Sequence, residues 1–280
     1  MTGGSLVVVG TPIGNMGDLS PRAAEALASA DLVACEDTRR ARKLFDLAGL
    51  PVPKLVVVND HTEARQLERV VDAVLGGQRV VLISDAGMPG ISDPGADLVR
   101  AAIEADLEIG VVPGPTAAVT ALALSGLPAG RFCFEGFLPR KGAARTERLQ
   151  VIASEPRTTV LYESPNRLAK TLGDLADHCG PGRSVVIGRE LTKKFEEFWR
   201  GTVEDAARWA AVGVKGEVVV VVGGAEPMAP PDDAEIDAAL RAELGGGAST
   251  RDAVASVVAA LGVGKRAVYD RALAVLREGE

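Results

Sequence analysis

The segment Val80-Val81-Leu82-Ile83-Ser84-Asp85-Ala86-Gly87-Met88-Pro89-Gly90-Ile91-Ser92-Asp93-Pro94-Gly95 passes without a break from an apolar, β-branched run into a loop of glycine, proline and aspartate. An apolar run this short, closed by Gly and Pro, reads as a strand buried in a parallel sheet. Three other stretches repeat the pattern. Residues 6–9 lead into Gly10-Thr11-Pro12-Ile13-Gly14-Asn15, residues 32–35 into Glu36-Asp37-Thr38-Arg39, and residues 109–112 into Pro113-Gly114-Pro115-Thr116-Ala117. Ligands of open parallel sheets bind at the carboxyl ends of the strands. Four such loops therefore describe one binding site, and the chain reads as an enzyme.

Helix signals fall between these strands. Ser20-Pro21 ahead of Arg22-Ala23-Ala24-Glu25-Ala26-Leu27 is a strong start, with Ser as the cap and Pro at the first helical position, where no hydrogen bond is lost. Residues 38–48 read as a second helix stopped by Gly49, and Leu67, Val70, Val71 and Val74 recur at helical spacing over 63–75. Helices over 94–105 and 116–124 complete the alternation. A second α/β unit starts near Arg131, with strands predicted over 132–135, 158–162, 184–188 and 217–222 and helices over 146–153, 167–178 and 203–211. The stretch 223–233, with Pro227, Pro230 and Pro231, reads as a linker. Helices over 234–244, 250–261 and 265–277 follow, with no strand. Ser249 with Asp252 resembles a capping box, and the Gly262-Val263-Gly264 turn suits a helix-turn-helix or any small helical hairpin. The expected fold is two α/β domains, 1–115 and 116–226, with a ligand cleft between them, plus a small C-terminal helical domain, 233–280.

A chain of 280 residues that is 47% apolar can bury a sizeable core without staples. Cys35, Cys133 and Cys179 are scattered, and the only histidines are His61 and His178, so neither a zinc site nor a disulfide framework is expected and no metal site is assigned. With no basic-then-apolar leader and no apolar run of membrane length, the expectation is a reduced, soluble, cytoplasmic protein without a membrane partner. The net charge of −7 does not point to nucleic acid, although a local basic patch can serve an acidic chain.

Each loop has a functional and a bland reading. The glycines after residue 9 would let backbone amides approach a ligand, or would simply turn the chain tightly. Asp85 and Asp93 could hold a metal, a ribose or a cationic group, or could cap loop turns and the next helix; the length of their loop favours function. Arg39, Arg40, Arg42 and Lys43 form either a phosphate-facing patch or a solvated helix face capped by Asp37. Arg140-Lys141-Gly142-Ala143-Ala144-Arg145 suits a nucleic-acid backbone, or is an exposed linker. Tyr162-Glu163-Ser164-Pro165-Asn166-Arg167 and Arg189-Glu190-Leu191-Thr192-Lys193-Lys194 follow predicted strands, and Lys215-Gly216-Glu217 meets the last one. Polar chemistry thus gathers at strand ends of the second unit too, as a cleft between α/β domains requires.

In this order and spacing the motifs resemble the ribosomal RNA small subunit methyltransferase I family of the tetrapyrrole-methylase superfamily, from about Leu6 to the last helix. One departure is visible: where the family reads Glu-Ser-Pro-His-Arg, this chain has Asn166 in place of the histidine. The resemblance implies S-adenosylmethionine-dependent methylation of a cytidine ribose 2′-hydroxyl in 16S RNA of the small ribosomal subunit, by a homodimer with its cofactor in the cleft. Carried over by position, it implies cofactor contacts from Pro12, Ser84, Asp85, Gly87, Met88, Ile91, Ser92, Thr116, Ala117, Tyr162, Leu191, Gly216 and Glu217. RNA contacts are expected from Arg39, Arg140, Lys141, Arg145, Lys194, Lys265 and Arg266. A ribose hydroxyl needs its proton accepted, and Asp37, Asp85 and Glu190 are the candidate bases. Two alternatives stand beside this reading: a small-molecule tetrapyrrole methyltransferase, and a nucleotide-binding ribosome-assembly module without turnover. The Glu-Asp-Thr-Arg segment, the basic loop and the helical tail weigh against the first.

Overall fold

A computed structural model of the chain describes residues 3–59, 64–226 and 231–278. His61, Glu63, Pro227 and Pro230 lie outside the described residues. The chain divides into two units, Met1–Ala225 and Glu226–Glu280.

The first unit holds two five-stranded sheets. In the first sheet, β1 (Ser5–Val9), β2 (Leu32–Cys35), β3 (Lys54–Val57), β4 (Arg79–Leu82) and β5 (Glu108–Val112) run in the order β3-β2-β4-β1-β5, all parallel. Successive side chains enter opposite cores. Val80 and Leu82 pack with Leu98 on one face, and Val81 packs with Leu27 and Phe45 on the other. The helices that supply those partners are α1 (Pro21–Ala28), α2 (Thr38–Ala48), α3 (Ala64–Leu75) and α4 (Ala96–Glu104). The Ser20 hydroxyl accepts from the Ala23 amide at 3.1 Å, the Asp37 carboxylate accepts from the Arg39 amide at 2.7 Å, and Gly49 ends α2 with φ +67°. The edge strand β3 escapes the sequence pattern because Pro53 precedes it and Lys54 is exposed, so it carries no fully buried run.

The second sheet contains β6 (Phe132–Phe137), β7 (Thr158–Glu163), β8 (Ser184–Arg189), β9 (Glu197–Thr202) and β10 (Val218–Val222), in the order β6-β7-β10-β8-β9. Only β6 and β7 pair in parallel; the other pairs are antiparallel. Strand β9 is also an unforeseen edge strand, its signal hidden behind the charged segment before it. Between these strands run α5 (Ala117–Ser125), α6 (Ala143–Ser154), α7 (Pro165–Cys179) and α8 (Val203–Ala211). Helices α6, α7 and α8 cover one face, and α5 packs on the other. Ile13, from the loop after β1, joins that second core beside Leu122, Val186 and Val219. The two α/β halves therefore share packing within the first unit.

The second unit is helical. Its helices α9 (Asp233–Gly245), α10 (Thr250–Leu261) and α11 (Lys265–Glu278) surround Ile236, Leu240, Val254, Val257 and Val268. Asp232 and Glu235 complete a capping box on α9, and Ser249 caps α10. Arg271 donates to Asp237 at 2.8 Å and to Asp233 at 3.0 Å, tying α11 to α9. Among the described residues no helix is long and apolar enough to cross a membrane.

Candidate active site

The strand-end loops of the first sheet lock onto one another. Thr11 and Gly87 exchange two backbone hydrogen bonds, of 2.9 and 3.1 Å, which join the loops after β1 and β4. At Gly10 a Cβ would sit 2.6 Å from the Gly114 backbone, so this glycine serves close packing of two loops rather than approach to a ligand. Gly87 adopts φ +85°, a conformation that the loop requires and that a branched residue resists.

These loops and the ends of β6, β7 and β10 enclose a cavity of about 370 Å³. Its apolar lining includes Ile13, Met88, Ile91, Leu191 and Val219. Phe137, 54% exposed, lines it beside Tyr162, with ring centroids 5.6 Å apart. The Tyr162 hydroxyl accepts from the Ala118 amide at 3.3 Å, which fixes the ring against the start of α5. Glu36, Asp85, Asp93 and Glu217 are acidic residues of the same lining, against the single arginine, Arg40; Glu163 also lines it, but its carboxyl is buried. Burial pushes the Glu36 and Asp85 carboxyls above their ordinary values of 4.5 and 3.8, and neighbouring acids add to the effect. The Arg40 guanidinium stands 3.2 Å from Asp85. Helix α4 begins from Gly95, and Asp93, two residues before it, lines the cavity. Glu163 is held by Ser164, Thr171 and Arg167, at 2.7, 2.6 and 3.2 Å.

A second cavity, of about 430 Å³, adjoins the first and shares Ile13, Arg40, Asp85, Ala86 and Glu217 with it. Thr11, Lys43, Leu44 and Lys193 are among its further lining residues.

The expected cofactor residues sort between the two. Asp85, Gly87, Met88, Ile91, Thr116, Ala117, Tyr162, Leu191 and Glu217 line the first cavity. Pro12 and Ser84 line the second, not the first. Ser92 and Gly216 line neither. The Ser92 hydroxyl lies against Gly136, where a Cβ would be 2.6 Å away, and Gly216, at φ +92°, makes room for the Glu190 side chain.

The candidate bases separate as well. The Arg39 guanidinium and amide hold the Asp37 carboxyl well below the carboxylate range, so Asp37 is a helix cap and its partner Arg39 is committed to it. Glu190 accepts from the Glu217 amide at 2.9 Å and from Lys193 at 3.0 Å, bonds that pull its carboxyl down too. Neither acid lines a cavity, whereas Asp85 lines both. Among the basic residues, Arg140 and Lys141 are exposed, Lys194 stands 5.5 Å over the Phe195 ring, and Lys265 and Arg266 are exposed at the start of α11. Arg145 is different. Helix α6 begins at Ala143, and Arg145 turns inward, 5% exposed, to donate to Asp174, Thr171 and the Pro139 carbonyl. It holds the core together and does not belong to an exposed loop.

Ile13, Phe137 and Glu163 line the first cavity without having been singled out by sequence. Ile13 and Glu163 lie within the strand-end segments 10–15 and 162–167 but were not assigned cofactor contacts, and Phe137 had a signal as an aromatic at a strand end before Leu138-Pro139.

Residues 5–207 match the model for Tetrapyrrole (Corrin/Porphyrin) Methylases, and residues 230–276 match the RsmI C-terminal HTH domain. Among solved structures, the methyltransferase CobJ aligns with a TM-score of 0.60 at 24% identity, covering 81% of this chain and 98% of that one. A uroporphyrin-III C-methyl transferase from Thermus thermophilus, complexed with S-adenyl homocysteine, aligns with a TM-score of 0.56 at 20% identity, covering 79% and 97%. The fold is thus that of the tetrapyrrole methylases. The ribosomal RNA small subunit methyltransferase I of Mycobacterium tuberculosis (strain ATCC 25618 / H37Rv) is 46% identical over 280 residues, 99% of this chain and 98% of the relative. That of Escherichia coli O157:H7 is 41% identical, over 96% and 95%. The chain belongs to the ribosomal RNA small subunit methyltransferase I family.

Proposed function

We propose that this chain methylates small-subunit ribosomal RNA with S-adenosylmethionine, placing the methyl group on the 2′-hydroxyl of a cytidine ribose in 16S RNA. The observation that carries this reading is the full-length likeness, methylase and tail together, to methyltransferases named for that subunit. A tetrapyrrole substrate draws its support from fold, because the two solved methyltransferases above are 24% and 20% identical to this chain.

The first cavity fits the cofactor. S-adenosylmethionine supplies an electrophilic methyl group on a cationic sulfonium. The exposed Phe137 ring and Tyr162 offer a stacking wall for adenine. Glu36, Asp85 and Asp93 supply negative charge for the cationic end. Alignment of donor and acceptor provides much of the catalysis of an in-line displacement. Asp85 is the base we assign to the ribose proton: it borders both cavities, and its burial keeps the carboxyl more basic than an exposed aspartate. Arg140, Lys141, Lys194, Lys265 and Arg266 are exposed cations suited to the RNA backbone. We assign the helical tail to gripping that RNA. The chain works in the cytoplasm as a homodimer, with exposed Val111 on β5 and Val119 and Leu124 on α5 as its apolar contact surface.

Labelled methyl transfer to purified small subunits tests this. Incorporation into 2′-O-methylcytidine is expected. A folded enzyme that binds the cofactor but labels only a base, or nothing, would overturn the reading.

A further inference from the structure

The second cavity is built for a different partner from the first. Arg40, Lys43 and Lys193 bring positive charge to it, against Asp85 and Glu217. Two of these cations are occupied: Arg40 by Asp85 at 3.2 Å, and Lys193 by Glu190 and Glu217 at 3.0 and 2.8 Å. Lys43 is exposed on α2 and has no ion pair among the described residues. Deeper in, Thr11 is 2% exposed and its hydroxyl has no hydrogen-bond partner among the described residues. Leu44 and Leu47 add apolar surface to the same wall.

We propose that this cavity is the subsite of the acceptor nucleotide, with Lys43 meeting an RNA phosphodiester next to the target ribose. This rests on the RNA-methylating reading above. The placement follows from the shared wall. A ribose seated here would share the Asp85, Ala86 and Ile13 lining with the first cavity, so its hydroxyl would lie next to the space assigned to the cofactor. A volume of about 430 Å³ admits one nucleotide drawn out of its stack, the usual arrangement when an enzyme modifies one nucleotide of a longer strand. The cationic lining selects for an acceptor that carries phosphate.

The test compares Lys43→Ala, Lys43→Arg and Arg42→Ala; Arg42 is an exposed neighbour on α2 that lines neither cavity. Lys43→Ala should raise KM for small subunits about tenfold, as loss of a charged hydrogen bond implies. The slope of log affinity for the subunits against log salt should fall by about 0.7–0.9, one phosphate contact. Affinity for S-adenosylhomocysteine should stay within about twofold, since one cavity is untouched. Lys43→Arg should restore most of the loss, and Arg42→Ala should behave as wild type. The proposal is overturned if Lys43→Ala leaves KM and salt slope unchanged, or if Arg42→Ala weakens binding equally. Failure of the wild type to methylate small subunits would instead remove the reading on which it rests.

Discussion

Five acidic residues and one arginine line the first cavity, the Glu163 carboxyl being buried, whereas three basic residues accompany two acidic ones in the second, although Arg40, Asp85 and Glu217 belong to both. The difference comes from what closes each space. Strand ends of the second sheet close the first cavity with Phe137, Tyr162 and Val219, and helix α2 closes the other with Lys43 and Leu44. One set of strand-end loops thus borders an acidic lining and a more basic one, and the proposed passage of a methyl group from a sulfonium to an RNA ribose would use both.

Asp85 sits on the shared wall, and its loss should have the largest effect. Asp85→Asn should lower kcat for small subunits by about 10²–10⁴-fold, the usual contribution of a positioned base. Turnover near wild type would move the base elsewhere and leave the two cavities unconnected by chemistry.

The contrast between free and committed cations extends beyond the cavities, and Arg145 sharpens it. Its side chain is 6% exposed and bridges α6 to Asp174 on α7. Arg145→Ala should destabilise the protein by about 2 kcal/mol, because the Pro139 carbonyl and the buried Thr171 hydroxyl lose their donor, while Asp174 keeps Lys170. Denaturant unfolding measures this, and the salt slope of RNA binding should not change. Replacing Arg140 and Lys141 by Ala should do the reverse, flattening the salt slope by about 0.7–0.9 per contact at unchanged stability.

The acidic lining makes cofactor binding depend on pH. A cation favours ionised carboxylates, so affinity is full above the carboxyl pKa values and is lost as pH falls through them. Burial raises the values of Glu36 and Asp85, so the loss should begin at higher pH than ordinary carboxyls at 4.5 and 3.8 would give. It should reach at most about tenfold per pH unit for each group. Titrations at falling pH check this, and affinity that is flat down to pH about 4 would show that the carboxyls do not face the cation. Tyr162→Phe should be the mildest change. It removes one hydrogen bond to Ala118, worth about 1 kcal/mol of stability in thermal unfolding, and keeps the ring.

Much of this was legible in the sequence, and what was not has a physical cause. Strands β1, β2 and β4 lie inside the sheet and β5 at its edge, yet all four are apolar runs that end in Gly, Pro or acid, so both their positions and the loops that build the site could be read. The edge strands β3 and β9 are half-solvated and lack that signal. The antiparallel pairing of β10 with β7 and β8 has no local signature, because five consecutive valine residues fit either direction. Residue type revealed the charge of Asp37, Glu190 and Arg145 but not their partners, Arg39, Lys193 and Asp174, which lie across a turn or a helix pair. Charge that is spent on a neighbour looks in sequence like charge that is free.

The central claim is that the first cavity, built by the Gly87 loop, holds the cofactor before RNA arrives. Calorimetric titration of S-adenosylhomocysteine into the wild type and into Gly87→Val, each verified as folded by circular dichroism, tests it most directly. Valine at φ +85°, a conformation that L side chains rarely adopt, would force the backbone of the cavity loop to shift. The wild type should bind without RNA, and the variant at least about tenfold more weakly, as a penalty of 1–2 kcal/mol implies. Equal affinity in the two folded proteins, or no binding by the wild type, would contradict the account.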